Sequence, residues 1–182
     1  MDKICNKTID YMIEKNVINA EKKEIYLYGM KLTIYNIIYA LIILSLCFAL
    51  KRDIFELVLF YFSYMSIRKY AGGYHAPNII LCMFLFGLTY YLLDYFLLLA
   101  SNLHFSIVLI LSTILVILIY FNSPIDCENK RLNEKEKRVY KRCALCLSVF
   151  WLICMIIMFE MQLSCYLIIF YTFLNIYIFQ LI

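Results

Sequence analysis

The sequence predicts an all-α fold: a polytopic helical membrane protein with about six membrane-embedded helices, preceded by an N-terminal amphipathic helix. Three observations carry this. Of the 182 residues, 65% are hydrophobic, and the mean hydropathy is +0.81, against an apolar share of roughly 45–50% in soluble domains. The apolar runs are continuous, which excludes the alternating segments of about ten residues that build a membrane β-barrel. Only four glycines and two prolines are present, too few for elaborate loops, so the helices must be joined by short connections.

The first 28 or so residues carry Ile9, Met12, Ile13, Val17 and Ala20 at helical spacing, opposite Lys7, Asp10, Glu14, Lys15, Glu21 and Lys22. This pattern predicts an amphipathic helix lying on the membrane surface or against the bundle. The segment is charged throughout and lacks a short apolar core followed by a cleavage site, so no signal peptide is expected. Six apolar runs follow, at about 32–50, 54–67, 79–100, 105–122, 143–159 and 163–182. Most approach the roughly 20 residues needed to cross about 30 Å of hydrocarbon. The second is short, so a tilted or re-entrant segment with 68–78 as its turn is an alternative to a full span. The expected division is residues 1–31 as the interfacial helix and 32–182 as the transmembrane domain, with a basic loop at 123–142.

Orientation follows from the 17 lysines and arginines. With six spans and the N-terminus inside, fifteen fall on the cytosolic side and only Lys51 and Arg52 face out. That assignment satisfies the positive-inside tendency. It places both termini, the basic stretch Lys130–Arg142 and residues 68–78 at the cytosolic face. The basic stretch either reflects topology alone or binds an acidic substrate.

Of the eight cysteines, Cys47, Cys82, Cys154 and Cys165 fall inside apolar runs. Cys127, Cys143 and Cys146 accompany the basic, cytosolic stretch, so no disulfide framework is expected. Cys143 and Cys146 have C-x-x-C spacing without a second pair, and the expected role is structural. Asp94, a charge within a span, is a functional suspect. It lies roughly 18 Å along the helix from Cys82, and a packing or topological role is favoured.

The stretch that concentrates chemistry is Arg68-Lys69-Tyr70-Ala71-Gly72-Gly73-Tyr74-His75-Ala76-Pro77-Asn78, followed by Cys82. Pro77 suits the first position of a helix, where an N–H is unpartnered anyway. A helix starting there puts Cys82 in its second turn, about 7 Å along the axis, where the positive end of the dipole favours a thiolate. Gly72 and Gly73 allow a sharp turn that folds His75 back toward Cys82. A cysteine and a histidine within hydrogen-bond reach form a nucleophile and its base.

At these residues the chain resembles the AgrB family, membrane endopeptidases of bacterial quorum sensing. The resemblance is specific at Arg68, at the glycine pair ending in Gly73, at His75-Ala76-Pro77 and at Cys82. It is looser elsewhere, in length, amphipathic N-terminus, multiple spans and a basic region after Pro124. Tyr74 before the histidine is a departure toward a bulkier pocket. The resemblance implies His75 and Cys82 as the catalytic pair of a cysteine endopeptidase. It also implies, as substrate, an AgrD-like propeptide with an acidic C-terminal tail. Arg68, Lys69, Gly72 and Gly73 are the candidate substrate-binding residues, with the two cations alternatively marking only the cytosolic end of a span. Asp126 and Asn78 are candidates to orient His75.

No cofactor, metal or nucleic-acid partner is expected, and no Gly-x-x-x-x-Gly-Lys-Ser/Thr phosphate loop is present. The expected partners are the propeptide, the bilayer and, as an option, a second copy of the chain. The competing reading is a non-enzymatic multi-pass transporter or exporter of a small peptide. Six spans and Asp94 suggest it, while the lack of internal repeats and paired broken helices speaks against it. A metal site at His75 and Cys82 would need further ligands from distant spans.

Overall fold

The computed structural model describes residues 2–15, 17–19, 23–49, 51–73, 79–125 and 133–181. Among these residues there are seven α-helices and no strand: α1 (Asp2–Glu14), α2 (Lys23–Ala49), α3 (Ile54–Ala71), α4 (Ile79–Ala100), α5 (Phe105–Asn122), α6 (Glu134–Glu160) and α7 (Tyr166–Leu181). Each of the six apolar runs falls on one of the helices α2–α7. The chain divides into two compact units, Met1–Lys51 and Arg52–Ile182.

In the first unit α1 is shorter than the amphipathic pattern predicts. Its last turn closes when Val17 N–H reaches back to Met12 O at 3.0 Å, so Val17 lies beyond the helix and is exposed rather than on the apolar face. Cys5 and Ile9 are buried, while Asp10 and Tyr11 point outward. Lys23 Nζ meets Asp10 Oδ1 at 2.6 Å, tying α2 to α1.

The second unit is a bundle of five helices running in alternating directions. Aromatic rings set the register of α3 against α4: Phe60 lies 6.2 Å from Tyr90 and 5.4 Å from Phe86, and Tyr64 lies 5.2 Å from Phe86, so the two helices are antiparallel. Against α7, Phe60 meets Tyr171 at 5.7 Å and Tyr64 meets Phe179 at 6.5 Å, so α3 and α7 run the same way. Phe105 stacks on Phe159 at 3.6 Å and Ser112 Oγ meets Met155 Sδ at 3.5 Å, which sets α5 antiparallel to α6.

Helix α7 is the centre of the bundle. Leu167–Phe173, Asn175, Ile176, Phe179 and Gln180 are all buried, covering every face of the helix, and it packs against α3, α4, α5 and α6. The outer helices show the reverse pattern. Leu98 and Leu99 of α4 are 72% and 78% exposed, and Ile110, Ile114, Ile117 and Phe121 of α5 also face out. Polar side chains lie inside: Ser63 Oγ and Thr172 Oγ1 meet at 2.9 Å, and Tyr171 donates to Thr89 O at 2.7 Å. Apolar outside and hydrogen-bonded polar groups between helices is the arrangement expected where the surrounding solvent is hydrocarbon. Helices α5 and α6 are long and apolar enough to cross a membrane.

Two helix starts explain departures from the expected boundaries. Asp53 caps α3 by accepting from Phe55 N–H at 2.9 Å, and the helix then continues through Arg68 and Lys69 to Ala71, so it is one continuous helix of 18 residues rather than a run ending at 67. At α6, Glu136 Oε2 accepts from Asn133 N–H at 2.8 Å, half of a reciprocal cap. The part of the basic stretch from Glu134 to Arg142 is therefore helical rather than loop.

Asp94 is tied to Arg52. The Arg52 side chain is only 6% exposed, and it donates to Tyr90 O at 2.5 Å, to Tyr91 O at 3.1 Å and to Asp94 Oδ2. Its guanidinium also lies 4.6 Å from the centroid of the Tyr90 ring. The buried cation thus joins the start of α3 to the second half of α4. Asp94→Asn is expected to lower stability by about 1–3 kcal/mol, the worth of a hydrogen bond to a charged group. Thermal unfolding in detergent micelles measures this, and an unchanged midpoint would remove the pair from the list of forces holding α4.

Candidate functional site

The alternation of helix direction gathers most of the predicted site residues at one end of the second unit. Arg68, Lys69, Gly72 and Gly73 close α3. Antiparallel pairing carries α4 from Tyr90 back past Phe86 toward the same end. Cys82, four residues or about 6 Å before Phe86, is therefore level with the last turn of α3. The ends of α5 and α7 and the basic start of α6 also lie there.

Cys82 is the fourth residue of α4, whose described helix begins at Ile79. The helix start expected at Pro77 lies outside the described residues. Near a helix N-terminus the unpaired N–H groups and the dipole favour a thiolate. His75, Asn78 and Asp126 lie outside the described residues, as do Lys130 and Arg131.

The two glycines are required by the backbone. Gly72 adopts φ 75° and ψ −159°, a region open essentially to glycine alone, while its N–H caps α3 by reaching Arg68 O at 3.0 Å. Gly73 has φ 132°. A Cβ at Gly72 would lie 2.6 Å from Ile125 O, and one at Gly73 would lie 2.9 Å from Phe179 O. Both glycines thus press against the chain's own backbone, with Ile125 N–H donating to Ala71 O at 3.2 Å. The corner is closed by Gln180, whose Nε2 donates to Ala71 O at 3.3 Å and to Ser123 Oγ at 3.1 Å. Gln180 Oε1 is buried and meets no donor among the described residues. An orphaned buried acceptor of this kind costs about 1–3 kcal/mol.

The two candidate cations differ. Arg68 is half-buried: its guanidinium lies 5.2 Å from the Tyr64 ring centroid and 4.8 Å from that of Phe179, and it donates to Tyr64 Oη. Two aromatic faces hold the planar cation in place, an arrangement a lysine could not copy. Lys69 is exposed, with Nζ 5.4 Å from the Tyr70 ring. Tyr70 meets Tyr140 of α6 at 5.4 Å, and Lys141 lies 4.6 Å from the Tyr120 ring at the end of α5. These contacts join the basic turns of α6, which carry Lys135, Lys137, Arg138, Lys141 and Arg142, to the same end as Arg68.

Asp94 and Arg52 lie at the opposite end, away from Cys82. Cys143 and Cys146 are free thiols on α6. Among the described residues no group of three His, Cys, Asp or Glu side chains is placed to hold a metal ion.

The sequence reading missed Gln180 and Ser123. The signal was present: Gln180 is a full amide inside the apolar run 163–182, and an uncharged amide in such a run needs partners as much as Asp94 does.

Comparison with curated proteins and with solved structures gives no match. The model of the family described as Accessory gene regulator B matches residues 5–182. That match takes in both units, the glycine corner, the first turn of α4 and the central helix. The chain belongs to the AgrB family, membrane proteins of agr quorum sensing that work with the AgrD propeptide in autoinducer processing.

Proposed function

We propose that the protein is a membrane-embedded cysteine endopeptidase that removes the acidic C-terminal tail of an AgrD-like propeptide, with Cys82 as nucleophile and His75 as base and acid. The observation that supports this most is the position of Cys82 near the N-terminal end of the described α4, level with the last turn of α3 at the end of the unit that also carries the glycine corner and the basic start of α6.

The Cys82 thiol gives its proton to His75, and the thiolate attacks the carbonyl carbon of the scissile peptide bond. Collapse of the tetrahedral intermediate breaks the C–N bond as His75 returns the proton to the leaving amine. The acidic tail departs and the pheromone segment remains on Cys82 as a thioester. A cysteine thiol within that segment then attacks the thioester carbonyl, closing a thiolactone and releasing Cys82. One thioester replaces another, so the exchange is nearly balanced and needs no nucleotide. Placement at the membrane boundary keeps water from competing for the acyl-enzyme.

In this reading the chain crosses the membrane six times, with the N-terminal helix interfacial and both termini cytoplasmic. The catalytic end then faces the compartment in which the propeptide is made. The charge asymmetry of the second unit supports that orientation, since Arg68, Lys69 and the five basic residues at the start of α6 lie at one end. Arg68 and, more weakly, Lys69 attract the acidic tail, and Gly72 and Gly73 shape the floor it crosses.

Co-expression with the propeptide tests the reaction directly: the peptide loses the mass of its tail, and the loss depends on Cys82 and His75. Charge reversal by Arg68→Glu is expected to lower kcat/KM about tenfold or more, as for a charged contact to substrate. A propeptide whose tail is neutralised should feel the change much less. Equal penalties on both peptides would show that Arg68 acts through its Tyr64 and Phe179 clamp and not through the tail.

A further inference from the structure

The basic start of α6 has two faces. Lys135, Arg138 and Arg142 follow one another at steps of three and four residues, and a step of seven followed by steps of four continues the line through Val149, Ile153 and Ile157. At helical spacing these six form one stripe, and every one of them is exposed. Lys137 and Lys141 continue a different line, through Ala144, Ser148 and Met155, which are buried. Accordingly Lys141 Nζ lies 4.6 Å from the Tyr120 ring and 5.9 Å from the Phe121 ring, both on α5.

The acids of the first turn are engaged elsewhere. Glu136 Oε2 accepts from Asn133 N–H at 2.8 Å, and Glu134 Oε1 lies 3.5 Å from Lys137 Nζ. Arg138 donates from Nε to Glu134 O at 3.3 Å, and among the described residues neither Lys135 nor Arg142 forms an ion pair. The stripe is therefore cationic at one end and apolar along the rest. Its apolar part, residues 143–159, accounts for about 26 Å of rise against roughly 30 Å of hydrocarbon. Arg142 then stands at the hydrocarbon edge, and Lys135 lies about 10 Å beyond it, across the headgroup layer.

We propose that Lys135, Arg138 and Arg142 form a binding stripe for the headgroups of anionic phospholipid in the leaflet at that end of the molecule. Continuity and charge select this partner. Val149, Ile153 and Ile157 meet acyl chains, so cations on the same line meet the phosphates of the same lipid layer, and a guanidinium pairs well with phosphate. Topology alone would be satisfied by cations on any face of the helix. An acidic peptide tail is left the cations on the bundle side, with Arg68 held between Tyr64 and Phe179. The stripe depends on the chain lying in a membrane and not on the cleavage chemistry.

The test compares two variants of equal charge, each made in the full chain. Arg138→Gln with Arg142→Gln removes two outward cations, and Lys137→Gln with Lys141→Gln removes two inward ones. Each protein is placed in nanodiscs holding equal amounts of phosphatidylcholine and phosphatidylglycerol, and the lipids it retains on transfer to mild detergent are counted by native mass spectrometry. Wild type and the inward variant should retain phosphatidylglycerol preferentially. In the outward variant that preference should fall about tenfold or more, as for two cations at an anionic surface. Arg138→Lys with Arg142→Lys, which keeps both charges, should preserve most of it. An unchanged preference in the outward variant would overturn the proposal, and so would an equal fall in the outward and inward variants, which would report net charge and no stripe. Binding of an acidic peptide, measured in phosphatidylcholine alone, is the remaining arm. If the outward variant loses that binding while its lipid preference stays, the stripe belongs to the peptide and the lipid assignment is wrong.

Discussion

Cys82→Ser is expected to reduce propeptide cleavage by about a thousandfold or more, equivalent to roughly 4 kcal/mol of lost transition-state stabilisation at 1.36 kcal/mol per tenfold. The amount of protein inserted in the membrane should not change. The magnitude follows from what the thiol supplies: a nucleophile ionised at accessible cost, which a serine hydroxyl is not. Insertion is spared because the substitution removes no helix hydrogen bond and a hydroxyl near a helix N-terminus is readily accommodated. A stronger form of the experiment uses a propeptide whose ring-forming cysteine is replaced by alanine. Ring closure is then blocked, and the wild-type protein should accumulate a covalent adduct that carries the pheromone segment and is cleaved by hydroxylamine. The adduct should map to Cys82. An adduct on any other of the eight cysteines, or full cleavage by Cys82→Ser, would sink the proposed mechanism.

The second large effect concerns the corner and not the chemistry. Gly72→Ala forces a side chain into φ 75°, ψ −159°, which costs about 1–3 kcal/mol. Its Cβ would also sit 2.6 Å from Ile125 O, where the obstacle is backbone and cannot swing aside. Overpacking of that kind costs a further 1–3 kcal/mol or so. The expected outcome is a marked fall in the thermal midpoint together with loss of processing, because the chain leaving Gly73 leads straight to His75. A glycine needed only to let a substrate pass would behave differently, raising KM at unchanged stability. Unfolding in micelles and cleavage kinetics on the same preparation separate the two, and unchanged stability would contradict the backbone contacts described here.

Much of the architecture was legible because hydrocarbon imposes a simple rule: continuous apolar runs must become helices, and all six did. What the runs did not reveal was rank. The stretch 163–182 and the stretch 105–122 look alike in hydropathy, yet α7 is buried on every side while α5 turns a row of isoleucines outward. Lipid and protein interior are similarly apolar, so hydrophobicity cannot tell a central helix from a peripheral one. The better signal lay in the polar residues, with Thr172, Asn175 and Gln180 marking the helix that had partners to satisfy them. At the candidate site the glycine pair predicted a sharp turn, which Gly72 makes at φ 75°. The helix start expected at Pro77 lies outside the described residues, and the described part of α4 runs from Ile79. The boundaries of charged segments were the weakest point. Lysines and arginines between 130 and 142 suggested a loop, whereas the Asn133 cap turns the portion from Glu134 onward into helix. Arg52, counted only as a loop cation, proves to be almost wholly buried against α4.

The central position of α7 also bears on biogenesis. Helices emerge from the ribosome in chain order, so α3 to α6 leave the translocon before the element against which they all pack has been made. Until then Ser63 lacks the hydroxyl of Thr172, and Thr89 O lacks the phenol of Tyr171. Contacts of α6 with α3 and α5 can form in the meantime, but the bundle is complete only when α7 arrives between its neighbours.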